Sequence, residues 1–187
     1  MADFFLRVTR VRIVIVVLIV LGALFIDGYS LFYRYVVVHQ PLPQKLTSIP
    51  TIAGHPVEIL SGVPETLQYL SRRHHLILLT KGAIAEQTGK VERSGLKEYF
   101  AAIEIVSEKD VPAYRAVISK YELLWETTWM IGNSPKSDIN PALAAGLNAV
   151  FVPHGSTWVL EHEEVDSAKP PRQLLVVKKF SELRTHF

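Results

Sequence analysis

The sequence of 187 residues predicts an α/β fold with a doubly wound, Rossmann-like parallel sheet. From residue 57 onward, short apolar runs alternate with segments of helical periodicity, as is typical of strands joined by helical crossovers. These runs are almost wholly apolar, which favours strands buried on both faces. Polar residues follow several of the runs directly, and ligands bind at the carboxyl ends of strands in such sheets. We therefore expect an open sheet with polar groups gathered at one edge.

The predicted elements follow one another in regular order. Pro64 suits the first turn of a helix, Gly95 suits the position after a helix end, and Gly146 ends another. The predicted helices cover residues 63–73, 84–94, 111–124 and 140–145, and the predicted strands cover residues 76–79, 103–106, 128–131, 149–152 and 174–177. Strands and helices in this order predict right-handed crossovers within one sheet.

The N-terminal part, residues 1–50, differs from the α/β domain predicted over residues 51–187. Three arginines precede residues 13–26, which carry no polar side chain and are followed by a Pro-rich linker. This run is shorter than the roughly 18–20 residues that span a bilayer, and an extension from Ile13 to Tyr33 would place Asp27 inside the membrane. We expect a buried strand in a cytoplasmic protein; the alternative is a membrane anchor.

The composition excludes several classes of function. The net charge is +2 and no long run of lysine or arginine occurs, so we expect no nucleic-acid partner. The absence of cysteine excludes disulfides, thiolate metal sites and a cysteine nucleophile. The stretch from Glu161 to Glu164, which contains three glutamates, is most simply interpreted as a solvated acidic face. The sequence predicts no oligomeric state.

Polar residues at three strand ends predict the functional site. Thr80, Lys109 and Asn133 each follow a different predicted strand, and Asp138 lies in the loop after Asn133. The oxygens of Asn133 and Asp138 are ligands of the kind that Mg²⁺ prefers. A hydroxyl and an ammonium group beside a metal site are suited to phosphoryl oxygens. The sequence thus predicts a small phosphorylated substrate.

These motifs resemble the haloacid dehalogenase-like hydrolase superfamily, whose members are mostly phosphatases. The resemblance covers about residues 57–183 and rests on LSGVPETL, LLTKG, SEK and GNSPKSD, which begin at residues 60, 78, 107 and 132. It implies that Thr80 hydrogen-bonds the phosphoryl group and that Lys109 holds the phosphate and the nucleophile. It also implies that Asn133 and Asp138 bind or orient Mg²⁺.

The first motif of this superfamily, Asp-x-Asp-Gly-Thr after an apolar strand, is degenerate here. The chain has LFIDGYSLF from residue 24, with Asp27 as its one carboxylate. In one register Phe25 takes the place of the nucleophile. In another, Asp27 is the nucleophile and a metal ligand, and Tyr29 takes the acid/base position, as in the dehalogenase branch. In a third reading, the segment does not belong to the fold.

The resemblance therefore implies a Mg²⁺-dependent phosphatase-type hydrolase that acts through Asp27. The alternative is a non-catalytic module of the same fold. The short stretch between Asp27 and Ser61 leaves little room for the large cap domain that many relatives insert there.

Overall fold

The structure is a computed structural model that describes residues 13–16 as backbone, and then residues 57, 59–154, 161, 163–166, 168 and 171–187. The described strands form a parallel sheet in the order β3-β2-β1-β4-β5-β6. The strands are β1 Ile13–Val16, β2 His75–Lys81, β3 Ala102–Val106, β4 Thr128–Gly132, β5 Asn148–Phe151 and β6 Leu174–Val176. The α-helices are α1 Val63–Ser71, α2 Ile84–Ser94, α3 Val111–Lys120 and α4 Asn140–Ala145.

Two hydrophobic clusters lie on opposite faces of the sheet. Alternate residues of β2 point to opposite sides, so that Leu76 and Leu78 pack with α1 and the C-terminal 3₁₀ helix Phe180–Thr185. Ile77 and Leu79 pack instead with residues of α3 and α4. Helices on both faces confirm the doubly wound α/β fold, and they explain why the strands are mostly apolar.

The register of the central strand determines which strand ends lie together. Val16, the last described residue of β1, pairs with Leu78 of β2 on one side and with Ile131 of β4 on the other. Thr80 and Asn133 each lie two residues beyond these partners in the sequence. They therefore lie at the same carboxyl edge of the sheet, on either side of β1.

The ends of α2 and α4 agree with the sequence, whereas α1 and α3 end earlier than predicted, α1 at Ser71 rather than at residue 73. Gly95 and Gly146 follow α2 and α4 in the left-handed conformation, with φ of 66° and 103°, as predicted for residues without a Cβ. Helix α3 ends at Lys120 rather than at residue 124, so this predicted boundary was wrong. The reason is Glu122, whose φ of 50° turns the chain out of the helix.

The N-terminal segment contributes a strand where the structure describes it. Ile13–Val16 forms a strand between β2 and β4. For these four residues, this agrees with the prediction of a strand. Among the residues that the structure describes, no helix has the length and apolarity that crossing a membrane requires. The rest of residues 1–50, with the predicted linker and the stretch where a cap could be inserted, lies almost wholly outside the described residues.

Candidate functional site

A buried ion pair stands at the carboxyl edge of the sheet. The Nζ of Lys109 lies 2.5 Å from Oδ1 of Asp138, and the two residues are 8% and 1% exposed. Lys109 follows β3, and Asp138 belongs to a π-helical turn, Pro135–Ile139, that follows β4. The pair thus joins the ends of two strands that are not neighbours in the sheet.

The second oxygen of the Asp138 carboxylate is held by the backbone. Oδ2 accepts hydrogen bonds from the N–H groups of Asn133, at 3.1 Å, and of Ser134, at 2.9 Å. This arrangement requires glycine at the end of β4, because a Cβ on Gly132 would lie 2.5 Å from Cβ and Cγ of Asp138. The carboxylate therefore packs directly against the strand end.

Tyr114 fixes the turn that carries Asp138 from the side of α3. Its hydroxyl donates to the carbonyl oxygen of Ser137, at 3.0 Å, and lies 3.3 Å from that of Asp138. Complete burial, together with the nearby Asp138 charge, raises the pKa of Tyr114 well above its ordinary value. The phenol is therefore a neutral hydrogen-bond donor at physiological pH, and it orients the turn.

Thr80 lies at the predicted strand end, and its hydroxyl is already engaged. Thr80 is buried, and its Oγ1 donates to Oε1 of Gln87, on α2, at 3.0 Å. Gln87 was not predicted as a neighbour of the site. Its side chain also packs over Gly82, where a Cβ would lie 2.8 Å from Nε2 of Gln87. A ligand that accepts from Thr80 must therefore replace this bond.

A second polar cluster adjoins the ion pair on the same turn. The Nζ of Lys81 donates to Oε1 of Glu161 at 2.7 Å and to Oγ of Ser137 at 3.0 Å. The hydroxyl of Ser134 donates to Oε2 of Glu161 at 2.5 Å, and that of Ser137 donates to the same oxygen. We call Lys81, Ser134 and Ser137 the cradle; these three residues surround the carboxylate of Glu161.

The cradle keeps Glu161 ionised. Burial alone would raise the pKa of this carboxyl, but hydrogen bonds from Lys81, Ser134 and Ser137 outweigh burial and lower the pKa to about 2. The expectation that residues 161–164 form a solvated face was therefore wrong for Glu161. It was right for Glu163 and Glu164, which are exposed. Nothing in the local sequence separates Glu161 from its acidic neighbours, because its partners lie 24 to 80 residues away.

The structure brings some of the predicted site residues together. Lys109 and Asp138 are in contact, and Asn133 joins them through its backbone N–H. Thr80 lies at the same edge of the sheet, with its hydroxyl directed at Gln87. Asp27, the predicted nucleophile, lies outside the described residues.

The described residues alone do not make a magnesium site. Asp138 already binds one ammonium and two backbone N–H groups, which satisfy most of its charge. In the part of the chain that the structure describes, no group of three or more His, Asp or Glu side chains could hold a metal ion. A dication here needs a further carboxylate, since Asn133 adds an oxygen donor but no charge.

The fold and the site together define a class of α/β proteins with a doubly wound parallel sheet and a buried lysine–aspartate pair at its carboxyl edge. The sequence family described as HAD-hydrolase-like matches residues 109–183, which include both members of the ion pair. The chain belongs to the haloacid dehalogenase-like superfamily. No curated protein matches the chain with significant similarity.

Solved structures of this superfamily resemble the chain over most of its length. A haloacid dehalogenase-like family hydrolase from Xanthomonas campestris is 36% identical, with a TM-score of 0.62 over 72% of this chain. The chain spans only 56% of the length of that hydrolase.

Two more distant structures show the fold alone. The L-2-haloacid dehalogenase from Xanthobacter autotrophicus has a TM-score of 0.69 at 13% identity, over 94% of this chain and 97% of the other. The HAD hydrolase-type protein YfnB from Bacillus subtilis, described as bound to magnesium, has a TM-score of 0.64 at 15% identity, over 95% of this chain and 98% of the other.

Proposed function

We propose that this chain is a phosphatase-type hydrolase that cleaves a small phosphate monoester through an aspartyl nucleophile. The observation that carries the proposal is the buried pair of Lys109 and Asp138 at the carboxyl edge of the sheet. A buried ion pair is a poor way to stabilise a fold, because the cost of desolvation offsets most of the attraction. Charged groups at this edge are better explained by ligand binding.

The residues at the edge have distinct roles in the proposed reaction. Lys109 neutralises charge on the phosphoryl oxygens and on the attacking carboxylate, while its bond to Asp138 keeps the ammonium in place. Thr80 donates to a phosphoryl oxygen once its hydroxyl leaves Gln87. Tyr114 and Gly132 act through Asp138. Tyr114 fixes the turn that carries Asp138, and Gly132 allows the carboxylate to approach the strand end.

Asp27 is the proposed nucleophile. A carboxylate oxygen of Asp27 forms a bond to phosphorus, the ester P–O bond breaks, and the alcohol leaves with the electron pair. Water then attacks the phosphoaspartate, which releases inorganic phosphate and restores Asp27. An aryl leaving group needs no proton, whereas an alkoxide takes one, and Tyr29 stands in the acid/base position of this register.

Magnesium is the proposed cofactor, because hydrolases of this superfamily generally use it. The proposed ligands are Asp138, Asn133 and Asp27; we include Asp27 because the described residues do not by themselves complete the set. When bound, the ion would supply positive charge for the phosphoryl oxygens. A small phosphorylated molecule is the proposed partner, and the proposed location is cytoplasmic.

A second candidate function is that of a non-catalytic module that keeps the fold and an anion site. The register of β1 favours it. Thr80 lies two residues beyond the partner of Val16, and the residue two positions after Val16 in the sequence is Leu18, not a carboxylate. The first carboxylate after Val16 in the sequence is Asp27, eleven positions further on.

Hydrolysis of an aryl phosphate by the full-length chain, with and without Mg²⁺, tests the proposal. We expect Mg²⁺-dependent phosphate release that falls by at least about 100-fold in Asp138→Asn, in the range typical of lost transition-state electrostatics. Asp166→Asn is the matched control, because Asp166 is exposed and undergoes the same chemical change. Circular dichroism of each variant separates lost activity from lost structure.

Two further outcomes of the same assay would favour a different function. Chloride release from a 2-chloro carboxylic acid, without release of phosphate from the ester, would place the chain with the dehalogenases. A folded wild-type chain that releases neither product would favour the non-catalytic module.

A further inference from the structure

The cradle of Lys81, Ser134 and Ser137 has the hydrogen-bonding pattern of a receptor for an oxyanion. The Oγ of Ser134 accepts from the N–H of Ser137 at 2.9 Å, and the Oγ of Ser137 accepts from Nζ of Lys81 at 3.0 Å. Since each hydroxyl already accepts one hydrogen bond, its single proton is free to point elsewhere. Both protons point at one carboxylate oxygen of Glu161.

The cradle also has the charge and dimensions that suit a carboxylate. Lys81 binds Oε1 of Glu161, while the two serines bind Oε2, so both oxygens are satisfied at once. Both serines are buried, and the Glu161 side chain is 13% exposed. Among the described residues, the exposed Glu108 also lies near Lys81, with its Oε2 3.8 Å from Nζ. This longer contact leaves Glu161 as the closer partner of the lysine.

The cradle adjoins the ion pair, because the two share a turn. Ser134 donates its backbone N–H to Asp138 and its hydroxyl to Glu161, and Ser137 directly precedes Asp138 in the sequence. A small molecule at Lys109 and Asp138 would therefore have the cradle within reach of a second acidic group.

We propose that the cradle is a carboxylate-binding subsite, that Glu161 occupies it in the absence of substrate, and that a carboxylate of the substrate displaces Glu161. Glu161 is then an internal substitute for the ligand and competes with it. The choice of a phosphorylated carboxylic acid as substrate rests on the proposed function, whereas the ability of the cradle to bind a free carboxylate does not.

Acetate, which reproduces the end of the Glu161 side chain, is the probe for the binding test. Calorimetric titration of the full-length Glu161→Ala chain, with sodium chloride at equal ionic strength as the reference, should show saturable binding. We expect the affinity for acetate to be at least tenfold higher in Glu161→Ala than in the wild type. Glu164→Ala is the matched control, since it removes the same charge from an exposed position and should behave like the wild type.

Substitution of Lys81 tests whether acetate binds at the cradle. Adding Lys81→Met to Glu161→Ala should abolish the gain in affinity for acetate. Adding Lys136→Met should preserve that gain, because Lys136 is an exposed lysine of the same turn. If Glu161→Ala does not fold, Glu161→Gln provides the same comparison without the carboxylate charge. Equal affinity for acetate in folded wild-type and Glu161 variants, or a gain that persists without Lys81, would overturn the proposal.

A kinetic comparison connects the subsite with the substrate. In Glu161→Ala, KM should fall several-fold for a phosphate ester of a short hydroxy acid and stay unchanged for an aryl phosphate without a carboxylate. Acetate binding without any hydrolysis would refute the proposed function and leave the subsite intact. Hydrolysis without a Lys81-dependent gain in acetate binding would refute the subsite and leave the function intact.

Discussion

Lys109 and Asp138 form a buried ion pair, in which Nζ lies 2.5 Å from Oδ1 at the carboxyl edge of the sheet. The pair connects the end of β3 with the turn after β4, across two intervening strands. Two backbone N–H groups complete the coordination of the carboxylate. Both the fold at this edge and the proposed chemistry depend on this contact.

Removal of the lysine should destabilise the fold. Lys109→Met leaves the Asp138 carboxylate buried without its cation, and loss of one partner of a buried pair costs about 3–5 kcal/mol. The matched control is Lys120→Met, whose ammonium lies 2.7 Å from Glu104 but whose side chain is 59% exposed. That exposed pair should contribute far less to the free energy of unfolding, because solvent screens it. Urea unfolding of both variants checks the difference, and equal losses would contradict the assigned burial of Lys109 and Asp138.

Gly132 should tolerate no side chain. A Cβ there would lie 2.5 Å from Cβ and Cγ of Asp138, so Gly132→Ala must displace either the carboxylate or the strand end. We expect a loss of about 1–3 kcal/mol, as is typical of overpacking. Gly89→Ala in α2 is the control, because its Cβ would meet only the mobile end of Arg93 at 3.0 Å.

The Gly89 control should behave in the opposite way. Alanine in a helix interior is more favourable than glycine by up to about 1 kcal/mol. Thermal unfolding should therefore give a lower Tm for Gly132→Ala and an equal or higher Tm for Gly89→Ala. A Gly132→Ala chain as stable as the wild type would show that Asp138 does not pack against the end of β4.

The contribution of Glu161 to stability should depend on pH. Its pKa is lowered from 4.5 to about 2 in the folded chain, so the ionised carboxylate stabilises the fold above about pH 4.5. That stabilisation is lost as the pH falls from 4.5 toward 2. We expect Glu161→Gln to cost about 1 kcal/mol at pH 7, because the site is partly open to solvent, and less at pH 3.5.

Urea unfolding of the wild type, Glu161→Gln and the exposed control Glu164→Gln at both pH values measures this effect. The difference between the wild type and Glu161→Gln should shrink on acidification, whereas Glu164→Gln should follow the wild type throughout. A difference that grows at low pH would mean that Glu161 is protonated in the folded chain.

The strand ends were predictable from the sequence because local signals mark them. The apolar runs before Thr80 and Asn133 predict the strands. In a parallel sheet, the carboxyl ends of the strands lie at one edge. The glycines after α2 and α4 marked those helix ends for the same local reason. Element order and fold class follow from such short-range patterns, and they bring Lys109 and Asp138 to the same edge of the sheet. The ion pair between the two side chains was not predicted.

The cradle could not be predicted in the same way. Glu161 lies among other acidic residues, and its partner Lys81 is 80 positions away in the sequence. Likewise, no local sequence pattern distinguishes Gln87 from a solvated helix residue, although its side chain accepts the hydrogen bond from Thr80. Contacts of this kind depend on how distant loops pack over the sheet edge, and sequence periodicity does not encode that packing.

The claim that Asp27 is the nucleophile is tested by comparing the rates of Mg²⁺-dependent aryl phosphate hydrolysis by the wild type and by Asp27→Asn. An amide cannot form the phosphoaspartate, so we expect the wild type to hydrolyse the ester and the rate of a folded Asp27→Asn chain to fall to background. Hydrolysis that survives Asp27→Asn, or its absence from the folded wild type, would contradict the claim.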